Sequence, residues 1–124
     1  MPNYQAGAQV VSISPGEMGL SFNAENPAAP QAGQEFYLGS SQQRGLLGVS
    51  LEAEWSAPPA AAVVELQVAN NQADSSYVTV NTLTFTGAQK VLRCDPAGLS
   101  FRYARALLRS HTGAETLTAR ILSR

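Results

Sequence analysis

From Gln34 onward, apolar residues recur at every second position in short runs broken by turn residues. Val49, Leu51, Ala53 and Trp55 fall on one face of an extended chain, and Ser50, Glu52 and Glu54 on the other. This period of two predicts a strand with one buried face. Val64, Leu66 and Val68 alternate in the same way with Glu65, Gln67 and Ala69, and Leu117, Ala119 and Ile121 with Thr116, Thr118 and Arg120. Further strands are expected over 35–38, 77–81, 83–86 and 89–94. They are separated by Pro58-Pro59, the polar cluster 70–76, Gly87-Ala88 and Asp95-Pro96-Ala97-Gly98, all turn signals. Gly48 marks a bulge or bend in the run 46–55.

The stretch 99–110 reads two ways. Leu99, Tyr103 and Leu107 are four apart and Asp95-Pro96 precedes them, as at the start of a helix. Gly98 sits badly in such a helix, and the neighbouring elements are strands at sandwich-like spacing, so a strand from Phe101 to Arg109 is expected. Eight strands then account for the chain after residue 34.

Residues 1–33 differ. They hold Pro2, Pro15, Pro27 and Pro30 and one β-like patch, 9–14, closed by Pro15-Gly16. The expected organisation is an extended N-terminal arm over 1–33 and a β-sandwich domain over 34–124. The arm's apolar side chains, Tyr4, Met18, Leu20 and Phe22, need burial and are candidate interface residues.

Composition sharpens this picture. The chain has 124 residues, enough for one domain. Charged residues make up only 14%, against about 25% in an average soluble domain. A surface of Gln, Asn, Ser and Thr is easier to desolvate, which suits contact with partners. Residues 1–89 carry seven acids and one base, and residues 90–124 seven bases and two acids. Acidic and basic strands pairing within one sheet would explain the split. So would a basic face docking on an acidic neighbour, with Arg102, Arg105, Arg109 and Arg120 as the docking charges.

Chemistry is sparse. No apolar run approaches the about 20 residues that span a bilayer, so no membrane is expected as a partner. The first residues show no basic stretch followed by an apolar one, so no signal peptide is expected. Cys94, at the end of an apolar run, reads as an inert packed thiol. His111 lies in Ser110-His111-Thr112-Gly113 and reads as a solvated turn residue. One His and one Cys build no ordinary zinc site, and neither a phosphate-binding Gly-rich loop nor a Gly-x-Ser-x-Gly elbow occurs. Glu52 and Glu54 have a spacing that glycosidase carboxylates can use, but an outward acidic strand explains them equally well. The C-terminal arginines with Phe101 and Tyr103 are compatible with base stacking, yet no nucleic-acid motif is present and the net charge is −1. No catalytic residue, cofactor, metal or nucleic acid is expected.

Trp55-Ser56-Ala57-Pro58-Pro59, the strand 63–69, Tyr77-Val78-Thr79-Val80-Asn81-Thr82, Asp95, the run 101–108 and Thr116–Ile121 follow one another in an order that resembles small β-sandwich structural proteins of tailed bacteriophages. The likeness covers roughly residues 50–122. The sandwich arrangement also resembles carbohydrate-binding modules of discoidin-like type. The phage resemblance implies a jelly-roll-like antiparallel sandwich that decorates, or cements, a capsid. It would have no active site, the major capsid protein as partner, a homo-oligomeric (dimeric or trimeric) state, manufacture in the host cytoplasm and a place on the virion surface. The alternative is a tail or baseplate module, structural or glycan-binding, for which Trp55 beside Pro58-Pro59 would be the aromatic platform.

Overall fold

A computed structural model describes residues 10–39, 48–96 and 101–123. They form ten strands: β1 (Val11–Ser12), β2 (Met18–Glu25), β3 (Gln31–Ala32), β4 (Phe36–Tyr37), β5 (Val49–Trp55), β6 (Ala61–Ala69), β7 (Val78–Phe85), β8 (Val91–Cys94), β9 (Tyr103–Thr112) and β10 (Leu117–Ser123). The fold is all-β. A six-stranded sheet runs β1-β4-β9-β6-β7 with β3 also paired to β9, and a four-stranded sheet runs β2-β10-β5-β8. The two pack face to face as a sandwich.

The strand order has a simple origin. With β3 and β4 taken as one interrupted strand, the chain is a nested hairpin. Its ladders are β6–β7, then β5–β8, then β3/β4–β9, then β2–β10. Two more ladders, β6–β9 and β5–β10, roll that hairpin into two sheets. This is the jelly-roll order. Among the described residues, only the short β1–β4 pair is parallel.

The core is what the period-two pattern predicts. Val49, Leu51, Ala53 and Trp55 from β5 meet Val64 and Leu66 from β6, Ala104, Ala106 and Leu108 from β9, and Leu117, Ala119 and Ile121 from β10, all with no exposed surface. Each large side chain so buried contributes about 1.5–3 kcal/mol. The ambiguous segment is strand, as expected, although it begins at Tyr103 rather than Phe101 and runs on past Arg109 to Thr112 as β9. The runs 77–81 and 83–86 are a single strand, β7. The ladder is continuous between Asn81 and Leu83, and the irregularity is a bulge at Val80, where the register steps from Leu66↔Asn81 to Gln67↔Thr79.

The boundary between an arm and the sandwich is corrected. Residues 11–32 supply three strands, and β2 is an eight-residue strand paired along β10. Met18, Leu20, Phe22 and Ala24 alternate with Gly19, Ser21, Asn23 and Glu25 in the sequence, but two irregularities break the alternation of faces in the structure. One falls at 23–24, where Ala24 adopts φ 52° and its N–H is taken by Thr118 Oγ1 at 3.1 Å. The other falls at Ser21, whose Oγ receives the Ala106 N–H at 2.9 Å, filling the gap between β3 and β4 on the facing sheet. The sheets approach closely here: a Cβ at Gly19 would collide with the Phe36 ring, and one at Gly33 with the Ser21 backbone.

Candidate functional site

Because Val64, Leu66 and Val68 point inward, Glu65 and Gln67 project from the outer face of the six-stranded sheet. Arg105, Leu107 and Arg109 of β9 and Thr79 of β7 stand beside them. Outward residues of this kind are usually solvated, yet Glu65 is 8%, Gln67 6% and Arg105 3% exposed. They are covered by one another and by the connection before β7, a short 3-10 turn at Asp74–Ser76.

The result is a continuous polar ladder. Arg109 grips Glu65 with two hydrogen bonds of 2.9 Å, from Nε to Oε2 and from Nη2 to Oε1. Thr79 Oγ1 donates to Glu65 Oε1 at 2.7 Å and accepts from Gln67 Nε2 at 3.2 Å. Arg105 Nε donates to Gln67 Oε1 at 2.9 Å. Its Nη1 lies 2.8 Å from Asp74 Oδ1, an ion pair by distance although off the line of a hydrogen bond. The Arg105 guanidinium sits 3.9 Å from the centroid of the Tyr77 ring, and the Tyr77 hydroxyl donates to Glu35. Arg109's hydrogen bonds hold the Glu65 carboxyl below its ordinary range, against an opposing push from burial, with Thr79 reinforcing the downward shift.

These contacts correct the docking-charge expectation. Arg105 and Arg109 are engaged inside their own sheet. Arg120 Nη1 lies 3.0 Å from both Glu52 Oε1 and Glu54 Oε1, tying β10 to β5. The uneven charge along the sequence therefore resolves into acidic and basic strands laid side by side. Of the four arginines, only Arg102 is exposed with no side-chain partner among the described residues. The carboxylate pair Glu52 and Glu54 is bridged by Arg120 on an outer face.

The arm residues separate. Tyr4 lies outside the described residues. Phe22 is buried in the molecule's own core, so its expected role at an interface is corrected. Met18 and Leu20 register with Leu122 and Arg120 of β10, which alternate with buried Ala119 and Ile121. They therefore stand on the outer face of the four-stranded sheet, where Met18 is 47% exposed.

His111 departs from expectation, while Trp55 lies in the core as the alternation along β5 predicts. His111 is within β9, opposite Ala62, and its side chain is 3% exposed rather than solvated in a turn. A register shift between Val63 and Val64 turns it inward. Its ring centroid is 4.1 Å from that of Trp55, and Nε2 is 2.9 Å from Glu115 Oε1. This hydrogen bond pulls the Glu115 carboxyl below its ordinary range. Trp55 is fully buried and edge-on to Phe85, so it offers no platform to a ligand. Cys94 is buried, and burial pushes its thiol pKa up, away from reactivity.

A feature the sequence reading missed lies at one end of the six-stranded sheet. Ser12 of β1, Tyr37 of β4, Tyr103 of β9 and Ala69 of β6 form one transverse row across four neighbouring strands. The two tyrosine rings are 5.2 Å apart and inclined at 53°. With Val10, Gln72 and Arg102 they line an open groove of about 310 Å³. The only sequence signal was Tyr37 and Tyr103 themselves, and their adjacency is a product of register.

Among the described residues, no group of three His, Cys, Asp or Glu side chains is placed to hold a metal, and no helix is long and apolar enough to cross a membrane. No known protein family, curated protein or solved structure matches the chain.

Proposed function

We propose that this protein is a non-enzymatic virion structural protein that binds the outside of a phage capsid and cements neighbouring capsomers. The reading joins the sequence resemblance to a rigid jelly-roll body whose charged groups are largely satisfied internally. Such a body contributes shape and contact area rather than chemistry. The observation that carries the docking surface is the outward row of Met18, Leu20 and Leu122 on the β2–β10 edge of the four-stranded sheet. Apolar side chains on an edge strand are sites of further pairing or packing. Here the partner is the major capsid protein, and repetition over many sites, with dimers or trimers of this chain, multiplies a weak contact.

The test is co-sedimentation of the purified protein with phage heads that lack it. Saturable binding is expected, and Met18→Asp with Leu20→Asp should abolish it while leaving the circular dichroism spectrum unchanged. Absence of binding by the unmutated protein would overturn the reading. A tail or baseplate position would instead show as a handful of copies per virion by quantitative mass spectrometry, where decoration requires hundreds.

A further inference from the structure

We infer that the groove between Tyr37 and Tyr103 is a binding site for a sugar carrying a carboxylate, such as a uronate or sialate residue in an oligosaccharide. The inference is independent of where the protein sits in a virion. A sugar ring has an apolar C–H face and a polar rim, and a site for it needs an aromatic surface flanked by hydrogen-bonding groups. The transverse row supplies this arrangement. Two tyrosines inclined at 53° make a notch rather than a flat wall. Their neighbour in the row, Ser12, is small and lines the groove beside Tyr37. Ser12, Gln72 and the two phenolic hydroxyls are the polar groups around it, and Val10 is the apolar one. At about 310 Å³ the groove is at the lower end of small-molecule sites, about 300–1,000 Å³, a size for one or two sugar rings.

Arg102 selects the acidic class. The other arginines of this sheet, Arg105 and Arg109, are spent on Asp74 and Glu65. Arg102 lines the groove, is exposed, and has no side-chain partner among the described residues. An arginine fork matches a carboxylate with two parallel hydrogen bonds. Single-stranded nucleic acid also stacks on tyrosine, but it needs a run of cations along its backbone, and among the described residues this face has one arginine, Arg102, not already paired with a carboxylate.

The experiment is isothermal titration of the full chain with sialate-terminated and glucuronate-terminated trisaccharides, their neutral analogues, and an oligothymidylate. Saturable binding of at least one acidic trisaccharide is expected, at least tenfold tighter than its neutral analogue. Arg102→Gln, at an exposed position outside the core, should erase that preference while leaving the unfolding midpoint unchanged. Tyr103→Ala should weaken binding of acidic and neutral sugars alike by tenfold or more, and Tyr103→Phe should retain most of it, separating loss of stacking from loss of fold. No saturable binding by any saccharide up to millimolar concentration would overturn the proposal. So would binding indifferent to Arg102→Gln and Tyr103→Ala, or tighter binding of the oligothymidylate.

Discussion

Glu65 and Gln67 on β6, and Glu52 and Glu54 on β5, hold equivalent outward positions on central strands of the two sheets. The first pair is almost wholly buried, while the side chains of the second keep 30% and 34% of their surface in water. Strand periodicity gives both pairs the same direction. What differs is the material above them. On the six-stranded sheet, the 3-10 turn brings Asp74 and Tyr77 over Arg105, and the β3–β4 connection brings Glu35 to Tyr77. On the four-stranded sheet, Arg120 alone bridges the carboxylates. Direction is thus a property of the strand, and burial a property of the connections that fold back over it. A polar residue therefore has a different energetic weight on each face.

The contrast is broken most directly at Arg105. Arg105→Ala strips the buried ladder of its cation and leaves Gln67 and Asp74 without it, so a loss of about 2–4 kcal/mol is expected in urea unfolding. A loss below about 1 kcal/mol would show the ladder to be ornamental. Leu107 tests the apolar side of the same cover. It points outward from β9 yet is 1% exposed, so Leu107→Ala should cost about 2–4 kcal/mol. Leu122→Ala, on the opposite outer face, should cost under about 1 kcal/mol. Arg120→Gln should fall within about 0–1 kcal/mol, the range of partly exposed pairs.

Acid sharpens the comparison further. The Glu65 carboxyl is held below its ordinary value of 4.5 by Arg109. A depressed folded pKa gives stabilisation that is complete above the unfolded-state value and is lost as pH falls through the folded one. Unfolding midpoints followed downward from pH 5 should therefore decline, and Glu65→Gln should flatten that decline. The smallest effect is optical. Trp55 is the single tryptophan and lies against His111. His111→Gln should therefore change the intensity of its fluorescence while the emission maximum stays that of a buried indole.

The core was legible in the sequence because it follows one rule. Val49 to Trp55, Val64 to Val68 and Leu117 to Ile121 alternate without interruption, and the structure buries the residues that the alternation selects. Where a local irregularity intervenes, the reading fails. Strand β2 alternates over 18–25 as well, but Pro15, Pro27 and Pro30 around it made the whole stretch resemble an arm. His111 sits in a run of turn-like residues, and only the register shift in β9 turns it inward. Arg105 and Arg109 looked like free charges because their partners, Asp74 and Glu65, are decades away along the chain. The tyrosine groove was illegible for the same reason: Tyr37 and Tyr103 meet only through the β4–β9 register.

The nested hairpin also sets an order in time. The β6–β7 ladder joins neighbours in sequence and is available as soon as the chain reaches Phe85. Each outer ladder spans a longer stretch of chain, and closing a longer loop is entropically slower. Strand β10, the last in the sequence, lies between β2 and β5 and completes both of their ladders. During synthesis, β2 therefore lacks its ladder, and β5 its second one, until residues 117–123 have cleared the ribosome. Half of β2, Gly19, Ser21, Asn23 and Glu25, is glycine or polar, which limits the apolar surface that this waiting segment shows.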